Sequence, residues 1–385
     1  MELNIVVDKF GAERVIGIFD LYLFNTDGYH MTYYANVGKW GLIDYTGKII
    51  LPADLTQIDS SIGSERICAK QGEQYGYFDL NGKLVIDFQF ENALTFSNGI
   101  AAVVNSESNK KFFLIDTNGK QLTEPLFDYV YGFHGGELAR FSKDNMSGFI
   151  DNTGKIVIES KYDNADVFSE GLVAVAMGDK WGAINEQGKQ VIDFQFSDRF
   201  DFREGMARIQ AKEGYGYIDK SGAIVIPCQY SFATNFRDSI AIVKKDNNSW
   251  MINRSGNRLT KENYSHISAF DDSGLALVLR NGLMGYIDKN FSEVIPCQYE
   301  KIDFFYEGLA MYKSKDKVIY IDQKNNNVIE RKCTKAGKFS DGLARFEVKK
   351  KRGFINKNNE VVIEPKYDSA SDFYKGYAIC GIKQS

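Results

Sequence analysis

Residues 180–194 read KWGAINEQGKQVIDF, and a close variant, KWGLIDYTGKIIL, occupies residues 39–51. Aligning these two stretches on their tryptophans brings eight further copies into phase. The first positions of the ten copies are Trp40, Tyr75, Phe112, Ser147, Trp181, Tyr215, Ser249, Met284, Val318 and Arg352. Successive copies start 34 to 37 residues apart, and a fixed period of this length is typical of solenoids, propellers and other repeat arrays.

Each copy carries the signature of a tight hairpin turn. Four residues after the first position stand Asp44, Asp79, Asp116, Asp151, Asn185, Asp219, Asn253, Asp288, Asp322 and Asn356. Three residues further stand Gly47, Gly82, Gly119, Gly154, Gly188, Gly222 and Gly256, then Phe291, Asn325 and Asn359. Asp or Asn caps a type I turn with its side chain, and Gly or Asn adopts the left-handed conformation that follows. Phe291 breaks this rule, so we expect the neighbouring Asn290 to take the left-handed position there.

Strand patterns surround every turn. Residues 215–219 and 223–227 alternate in the manner of two hairpin strands. A third strand follows in phrases such as FSEGLVAVAM (168–177) and FSDGLARFEV (339–348). We therefore predict an all-β fold: a tandem repeat of about ten three-stranded β-meander units of 34 to 37 residues, forming an open, twisted, solenoid-like array. The alternative is a closed, propeller-like ring, although typical propellers have four to eight four-stranded blades.

The repeat also sets the predicted domain boundaries. Residues 1–27 do not match it and are assigned to an N-terminal cap, since an array that ends on open strand edges needs capping. Residues 28–385 form the array, with units starting near residues 40, 75, 112, 147, 181, 215, 249, 284, 318 and 352.

One aromatic residue recurs in the connector of most units. These residues are Phe90, Phe127, Tyr162, Phe196, Tyr230, Tyr264, Tyr299 and Tyr367. Their regular spacing predicts a stacked ladder along the array. If the rings were exposed, they would suit the faces of sugars, whereas buried rings would belong to the core.

Composition argues against several classes of partner. The formal charge of −4 and a pI near 5.6 give no general attraction to nucleic acids or anionic membranes, so neither is expected as a partner. The basic run Lys349–Arg352 is interpreted as a solvated strand end. The N-terminus has no secretory signal pattern, and the five widely spaced cysteines indicate free thiols in a reducing compartment. We expect a cytoplasmic protein.

The residues that catalysis would require are sparse. His30, His134 and His266 occupy different places in the repeat, and there is no HExxH, P-loop or GxSxG motif. The acidic residue before glycine in several units (Glu170, Glu204, Glu307 and Asp341) is either a turn cap or part of a carboxylate row that would favour a basic partner. No catalytic, cofactor-binding or metal-binding residue is assigned, no cofactor is expected, and the ligand-binding residues and oligomeric state are left open.

These features together resemble the WG-repeat family of mostly bacterial proteins. The resemblance rests on Trp181-Gly182, the turn Asn185–Gly188, the connector Ile226–Tyr230 and the segment Phe168–Leu172, and it covers about nine tenths of the chain. The family is known as a repeat architecture without a shared catalytic activity, so the resemblance implies a fold and supplies no site. Some units depart from the pattern and are expected to pack more loosely: those with Ser147, Ser249 or Arg352 in place of the aromatic residue, and those with Phe113, Trp250 or Ile319 in place of the glycine.

We therefore predict a non-enzymatic binding scaffold that presents an extended repeat surface to a protein partner. A carbohydrate- or small-ligand-binding module is the alternative, motivated by the repeated aromatic residues. A hydrolase with a site between repeats is the third possibility.

Overall fold

The computed structural model describes residues 2–9, 11–18, 20–22, 31–36, 39–44, 48–59, 66–133 and 137–383. Every regular element in these ranges is a β-strand. None of the described residues forms a helix of the length and hydrophobicity needed to cross a membrane.

The strands are numbered in chain order. Those that precede residue 200 are β1 (Glu2–Asp8), β2 (Glu13–Ile18), β3 (Asp20–Tyr22), β4 (Met31–Asn36), β5 (Lys39–Asp44), β6 (Ile49–Leu55), β7 (Gln57–Ile58), β8 (Ile67–Gln71), β9 (Gln74–Phe78), β10 (Leu84–Phe90), β11 (Asn92–Ala93), β12 (Ile100–Val104), β13 (Phe113–Asp116), β14 (Tyr129–Val130), β15 (Leu138–Lys143), β16 (Met146–Asp151), β17 (Ile156–Tyr162), β18 (Asn164–Ala165), β19 (Leu172–Met177), β20 (Lys180–Asn185) and β21 (Gln190–Phe196).

The remaining strands are β22 (Phe202–Arg203), β23 (Met206–Ala211), β24 (Gly214–Asp219), β25 (Ile224–Tyr230), β26 (Phe232–Ala233), β27 (Ile240–Lys245), β28 (Asn248–Asn253), β29 (His266–Ile267), β30 (Ala276–Arg280), β31 (Leu283–Ile287), β32 (Glu293–Tyr299), β33 (Ala310–Ser314), β34 (Lys317–Ile321), β35 (Asn327–Lys332), β36 (Lys335–Ser340), β37 (Leu343–Val348), β38 (Lys351–Asn356), β39 (Val361–Tyr367), β40 (Ser369–Ala370) and β41 (Tyr377–Lys383).

In the described part of the chain these strands form eleven small sheets, eight with four strands and three with three. A typical sheet runs β18-β19-β20-β21, and the pairings between its first three strands are antiparallel. The predicted all-β meander array is therefore confirmed. Each sheet is offset from the sequence unit, because it joins the third strand of one unit to the hairpin of the next. Most sheets also gain a two-residue strand from the connector, such as β18.

The first and last strands of the chain share one sheet. Its order is β2-β1-β41-β40, and β1 pairs with β41 from Glu2 opposite Lys383 to Asp8 opposite Tyr377. Ile5 and Val7 of β1 are buried in a cluster with Phe354 and other residues of the last repeats. Residues from the predicted cap thus contribute two strands to the sheet that contains the end of the array.

The chain divides into two compact units. The terminal unit comprises Met1–Ala53, Asn247–Trp250 and Leu259–Ser385, and the central unit comprises Asp54–Asp246 and Met251–Arg258. Both units repeat one core contact between two aromatic rings. The first ring is buried on the second long strand of a sheet, and the second comes from the segment that precedes the third strand of the sequence unit. The two rings meet edge to face or at a tilt. Ring centroids are 4.8 to 5.1 Å apart in the pairs Tyr77–Phe96, Phe149–Phe168, Tyr217–Phe236, Tyr286–Phe305, Tyr320–Phe339 and Phe354–Phe373.

The glycine of the Trp-Gly pair lies opposite a bulge in the neighbouring strand. Trp181 pairs with Phe196 and Ala183 pairs with Ile192, so that three residues of β21 face Gly182 alone. A Cβ atom on Gly182 would lie 2.6 Å from the carbonyl oxygen of Ile192. Only glycine leaves room for the bulged backbone.

Where glycine is replaced, this bulge is missing. Ile319 pairs with Glu330 in a ladder that is regular from Lys317 to Tyr320. Around Phe113 the outer strand is reduced to isolated bridges, including Phe112 with Phe127. Phe113 and Ile319 are both buried. A regular ladder or a shortened outer strand therefore leaves space for a side chain at these two positions, and the looser packing expected of these units stays a prediction.

Candidate functional site

The repeated Asp or Asn residues cap their turns, as predicted. In the nine copies whose turns are described, the side-chain Oδ1 accepts hydrogen bonds from the N–H groups two and four residues later. In the turn of Asn185 the donors are Gln187 and Lys189, at 3.1 and 2.9 Å. Gly188 has a φ of 75°, in the left-handed region. The turn of the first copy, which includes Gly47, lies outside the described residues.

Phe291 differs from the expectation. It adopts the left-handed conformation itself, with a φ of 62°, while Asp288 caps the turn through the N–H groups of Asn290 and Ser292. The predicted shift onto Asn290 is therefore wrong. The turn keeps its length because the Asp288 cap fixes the hydrogen-bond register of the turn. Phe291 therefore adopts the unfavourable positive φ.

The acidic residues before glycine connect consecutive sheets. Each carboxylate accepts a hydrogen bond from the backbone N–H of the next equivalent turn. The pairs are Glu170 with Gly205 at 2.9 Å, Glu204 with Ser239 at 2.7 Å, Glu307 with Gly342 at 3.1 Å and Asp341 with Gly376 at 2.7 Å. These four residues therefore have a structural role, as the turn-cap alternative proposed, with the difference that they cap the neighbouring turn.

In two places a lysine completes this connection. Lys220 Nζ lies 3.1 Å from Glu170 Oε2 and donates to the backbone oxygen of Glu170 at 2.9 Å. Lys357 makes the same two contacts with Glu307, at 3.1 and 2.9 Å. Burial alone would raise the pKa of Glu170, but hydrogen bonds from Gly205 and Lys220 outweigh it and hold the pKa below its usual value. We call this arrangement the lysine brace.

A polar cleft of about 570 Å³ lies in the central unit, at two turns that lack the lysine brace. The lysine position, one residue after the capping Asp or Asn, holds Asn152 in one sheet and Glu186 in the next. Glu186 is half-buried, and among the described residues no lysine or arginine pairs with it. The residues that line the cleft are Asn98, Glu137, Leu138, Asp151, Asn152, Val157, Glu186 and Gln187.

The connector aromatics are mostly core residues. Phe90, Phe127, Tyr162, Tyr230, Tyr264 and Tyr367 are buried, and Phe196 and Tyr299 are half-buried. Those with ring contacts meet their neighbours in edge-to-face or tilted geometry, as Phe127 does with Phe141 at 4.9 Å. The ring contacts given for Phe90, Phe127, Phe196 and Tyr299 are with rings outside this series, so a stacked ladder is not shown. The burial of most of these rings gives no support to sugar binding.

Three exposed aromatic side chains stand out in the terminal unit. Phe304, Tyr306 and Tyr374 are 43%, 38% and 45% exposed. Tyr306 and Tyr374 begin tight turns, and both turns are joined through the turn of Asp341 by the carboxylate bonds to Gly342 and Gly376. Lys338 places its Nζ 4.3 Å from the centre of the Tyr306 ring. We call Phe304, Tyr306, Lys338 and Tyr374 the aromatic patch.

The histidines and cysteines offer no obvious reactive centre. His266 is exposed on β29, while His30 and His134 lie outside the described residues. All five cysteines are free thiols, and burial together with nearby Glu213 raises the pKa of the Cys228 thiol. Across the described ranges, no group of three or more His, Cys, Asp or Glu side chains is placed to hold a metal ion.

The basic run is a solvated hairpin end, as interpreted from the sequence. Lys349 and Lys350 are exposed and form the turn between β37 and β38, each with a positive φ. Lys351 pairs with Asp368 at 2.7 Å, and Arg352 pairs with Glu347 at 3.5 Å. The run therefore offers little uncompensated charge beyond the two turn lysines.

Neither the cleft nor the aromatic patch was predicted from the sequence. The available signal was the comparison of equivalent positions. Glu186 stands where Lys220 and Lys357 stand in other units, and Tyr306 stands where Ser169 and Ser340 stand.

The capped turns, bulge glycines and successive small meanders define an all-β tandem-repeat protein. The family pattern described as WG containing repeat matches residues 40–73, 75–107, 112–146, 148–181, 181–214, 215–248, 284–317, 320–351 and 353–379. The chain belongs to this family. The copy that starts at Ser249, with Trp250 in the glycine position, is outside the matched segments.

Solved structures with similar architecture are distant. A eukaryotic initiation factor aligns over 86% of this chain and 99% of its own length, with 10% identity and a TM-score of 0.42. The extracellular domain of a putative hybrid two-component system from B. thetaiotaomicron aligns over 93% and 60%, with 11% identity and a TM-score of 0.27. No curated protein matches the sequence. At these TM-scores, neither structural similarity bears on the function of the chain.

Proposed function

We propose that this protein is a non-enzymatic scaffold that binds a protein partner through the aromatic patch of its terminal unit. The observation that carries the proposal is the exposure of Phe304, Tyr306 and Tyr374 at positions where the repeat does not require an aromatic residue. Tyrosine and other aromatic residues are enriched in protein interfaces, where each contributes a large apolar area with few rotatable bonds.

Equivalent positions in other units show that the fold tolerates polar residues there. Tyr306 and Tyr374 correspond to Ser97, Ser169 and Ser340, and Phe304 corresponds to Thr95. The three aromatic side chains can therefore be replaced by Ser or Thr without removing a repeated core contact. This property makes the proposed interface testable separately from folding. The cytoplasmic location expected from the sequence is part of the same proposal.

The experiment compares three forms of the protein as bait in quantitative affinity capture. The triple variant Phe304→Thr, Tyr306→Ser and Tyr374→Ser removes the exposed rings. The control Ile224→Thr, Val225→Thr removes exposed apolar side chains from β25 in the central unit. We expect a saturable partner to be retained by the wild type and the control and to lose at least about tenfold in affinity for the triple variant. Equal retention by all three forms would refute the proposed interface.

A further inference from the structure

We infer that the hairpin of β1 and β2 joins two copies of this chain, by pairing with β41 of a second copy as it pairs with β41 of its own. The sheet β2-β1-β41-β40 combines two strands from each of two distant parts of the sequence. The inference rests on this sheet and does not depend on the proposed protein partner.

The hairpin has the sequence and the geometry of a repeat turn. Residues 7–12 read VDKFGA, and residues 218–223, in the turn between β24 and β25, read IDKSGA. Asp8 Oδ1 accepts a hydrogen bond from the N–H group of Ala12 at 2.8 Å, and Gly11 has a φ of 87°. The capping residue and the glycine of other units behave in the same way. The hairpin of β1 and β2 is therefore the second half of a repeat unit.

The first half of this unit is β41. In a continuous unit, Met206 at the start of β23 lies opposite the capping residue Asp219. Tyr377 at the start of β41 lies opposite the capping residue Asp8 in the same way, and the pairing continues without a shift over seven residue pairs. β41 and the hairpin thus form one repeat unit whose halves are separated in the sequence.

The hairpin also packs against its neighbouring sheet as a repeat turn does. A Cβ atom on Gly11 would lie 3.8 Å from Cγ1 of Ile363, which belongs to the outer strand β39 of the preceding sheet. The equivalent contact in another unit is between Gly222 and Ile192, at 3.4 Å to Cγ1. The hairpin therefore occupies a place that the repeat defines, and any hairpin of this sequence fits it.

Without the hairpin, β41 would have an open edge beside an uncovered apolar surface. Ile5 and Val7 of β1 are buried in one cluster with Tyr367, Phe373 and Cys380. An unpaired strand edge offers a row of backbone N–H and C=O groups to another strand, and apolar pockets beside it select the side chains of that strand. A hairpin of identical sequence from a second copy is the occupant that this surface fits.

The two halves of the unit are synthesised at different times. Ile5 lies opposite Cys380, so that nearly all of the chain is made between them. At about 5–20 residues per second, the hairpin precedes its partner strand by on the order of tens of seconds. Contacts between such distant residues also form slowly, because a long loop must close first. During folding, β1 of one copy is therefore available to β41 of another.

Pairing between copies preserves the contacts of the split unit. The hairpin of a second copy forms the same seven residue pairs with β41 and buries the same side chains of β1. The added cost is the entropy of association, which falls as the protein concentration rises. This pairing joins copies end to end.

The test uses two full-length copies that can form one particular disulfide only through the shared sheet. One copy carries Ile5→Cys and Cys380→Ala, and the other has a different affinity tag and keeps Ile5 and Cys380. The two are co-expressed, purified, oxidised with diamide and separated on a non-reducing gel. Because Ile5 lies directly opposite Cys380, the introduced thiol reaches Cys380 of the other copy only where β1 of one pairs with β41 of the other. We expect a covalent dimer that a reductant dissolves.

The matched control replaces Ile5→Cys by Val6→Cys in the first copy. Val6 lies opposite Ile379, and neighbouring residues of a strand point to opposite faces of the sheet. We expect at least about tenfold less covalent dimer from this control, which also measures any background from the other cysteines. The inference is wrong if the two pairs of copies give equal amounts of dimer.

A single variant, Ile5→Cys with Cys380 retained, provides a second measurement without the alanine substitution. A bond within one chain gives an oxidised monomer, whereas a bond between copies gives a covalent dimer or longer species whose share increases with protein concentration during folding. Oxidised monomer alone at every concentration would overturn the inference. Absence of any cross-link would contradict the pairing of β1 with β41, and the inference with it.

Discussion

The carbonyl oxygen of Ile192 occupies the space that a side chain on Gly182 would need, 2.6 Å from the position of a Cβ atom. The same close approach recurs at Gly216, where the carbonyl oxygen of Ile226 would lie at 2.6 Å, and at Gly353, where that of Ile363 would lie at 2.3 Å. The glycine that gives the motif its name thus exists to admit a bulged neighbouring strand. This glycine is required by the fold, which leaves little scope for a direct role in binding.

Gly188→Val should destabilise the β18–β21 sheet by more than about 1 kcal/mol, because a β-branched residue tolerates a positive φ poorly. Gly188 has a φ of 75°, and its missing Cβ would also approach Ile158 Cγ1 at 3.4 Å. Amide hydrogen exchange of β20 and β21 reports the local stability. Unchanged protection in this sheet would contradict the assigned conformation.

Phe291→Gly should leave the free energy of unfolding unchanged to within about 0.5 kcal/mol, or raise it slightly. The substitution relieves the positive φ of 62° but gives up a tilted contact with Phe270, whose ring centre is 6.3 Å away. Chemical denaturation of the variant measures the balance. A loss of more than about 1 kcal/mol would mean that the Phe270 contact outweighs backbone strain.

Glu170→Gln should make the protein less stable at neutral pH, by about 1 kcal/mol after allowance for the partial exposure of Lys220. The pKa of Glu170 is lowered in the folded state. Its stabilising contribution is therefore present above the unfolded-state pKa and is lost as the pH falls through the folded-state value. The difference between variant and wild type should therefore shrink as the pH falls below the unfolded-state pKa and through the folded-state value. A difference independent of pH would exclude the charged brace as its source.

Tyr217→Phe should cost about 1 kcal/mol, because the Thr234 carbonyl loses a buried hydrogen bond. The Tyr217 hydroxyl donates to this oxygen at 2.6 Å, and burial raises the tyrosine pKa, so the donor stays protonated. Phe149 occupies the equivalent position in another sheet, which shows that the ring alone fits. Tyr215→Phe, two residues earlier on the same strand, should change stability by less than about 0.5 kcal/mol in the same denaturation experiment. Equal effects of the two substitutions would count against a role for this bond.

The sequence predicted the turns because their determinants are local. Asn185 and Gly188 interact within five residues, and their preferences follow from side-chain capping and backbone conformation. The resemblance to the family rested on the same local turn signals, because all ten copies repeat them in phase. By contrast, the two-residue strand Asn164–Ala165 is too short to show an alternating pattern, so the four-stranded sheets and their offset from the repeat were not predicted.

The contacts between sheets could not be predicted from the sequence of single repeats. Glu170 reaches Gly205, 35 residues later, and Lys220, 50 residues later. The pattern showed that an acidic residue recurs, but its partner depends on how consecutive sheets pack. The cleft around Glu186 depends in the same way on how consecutive sheets pack.

The Trp-Gly phrase serves the architecture of the repeat, and Gly182→Ala tests this role most directly. Amide hydrogen exchange should show that β20 and β21 lose about 2 kcal/mol or more of local stability, the cost of forcing a Cβ against the bulged backbone. In the control Gly132→Ala the new Cβ meets only the Ser97 side chain, with Cβ at 3.7 Å and Oγ at 3.8 Å, and local stability should change by less than about 0.5 kcal/mol. Full protection of β20 and β21 in Gly182→Ala would contradict the account.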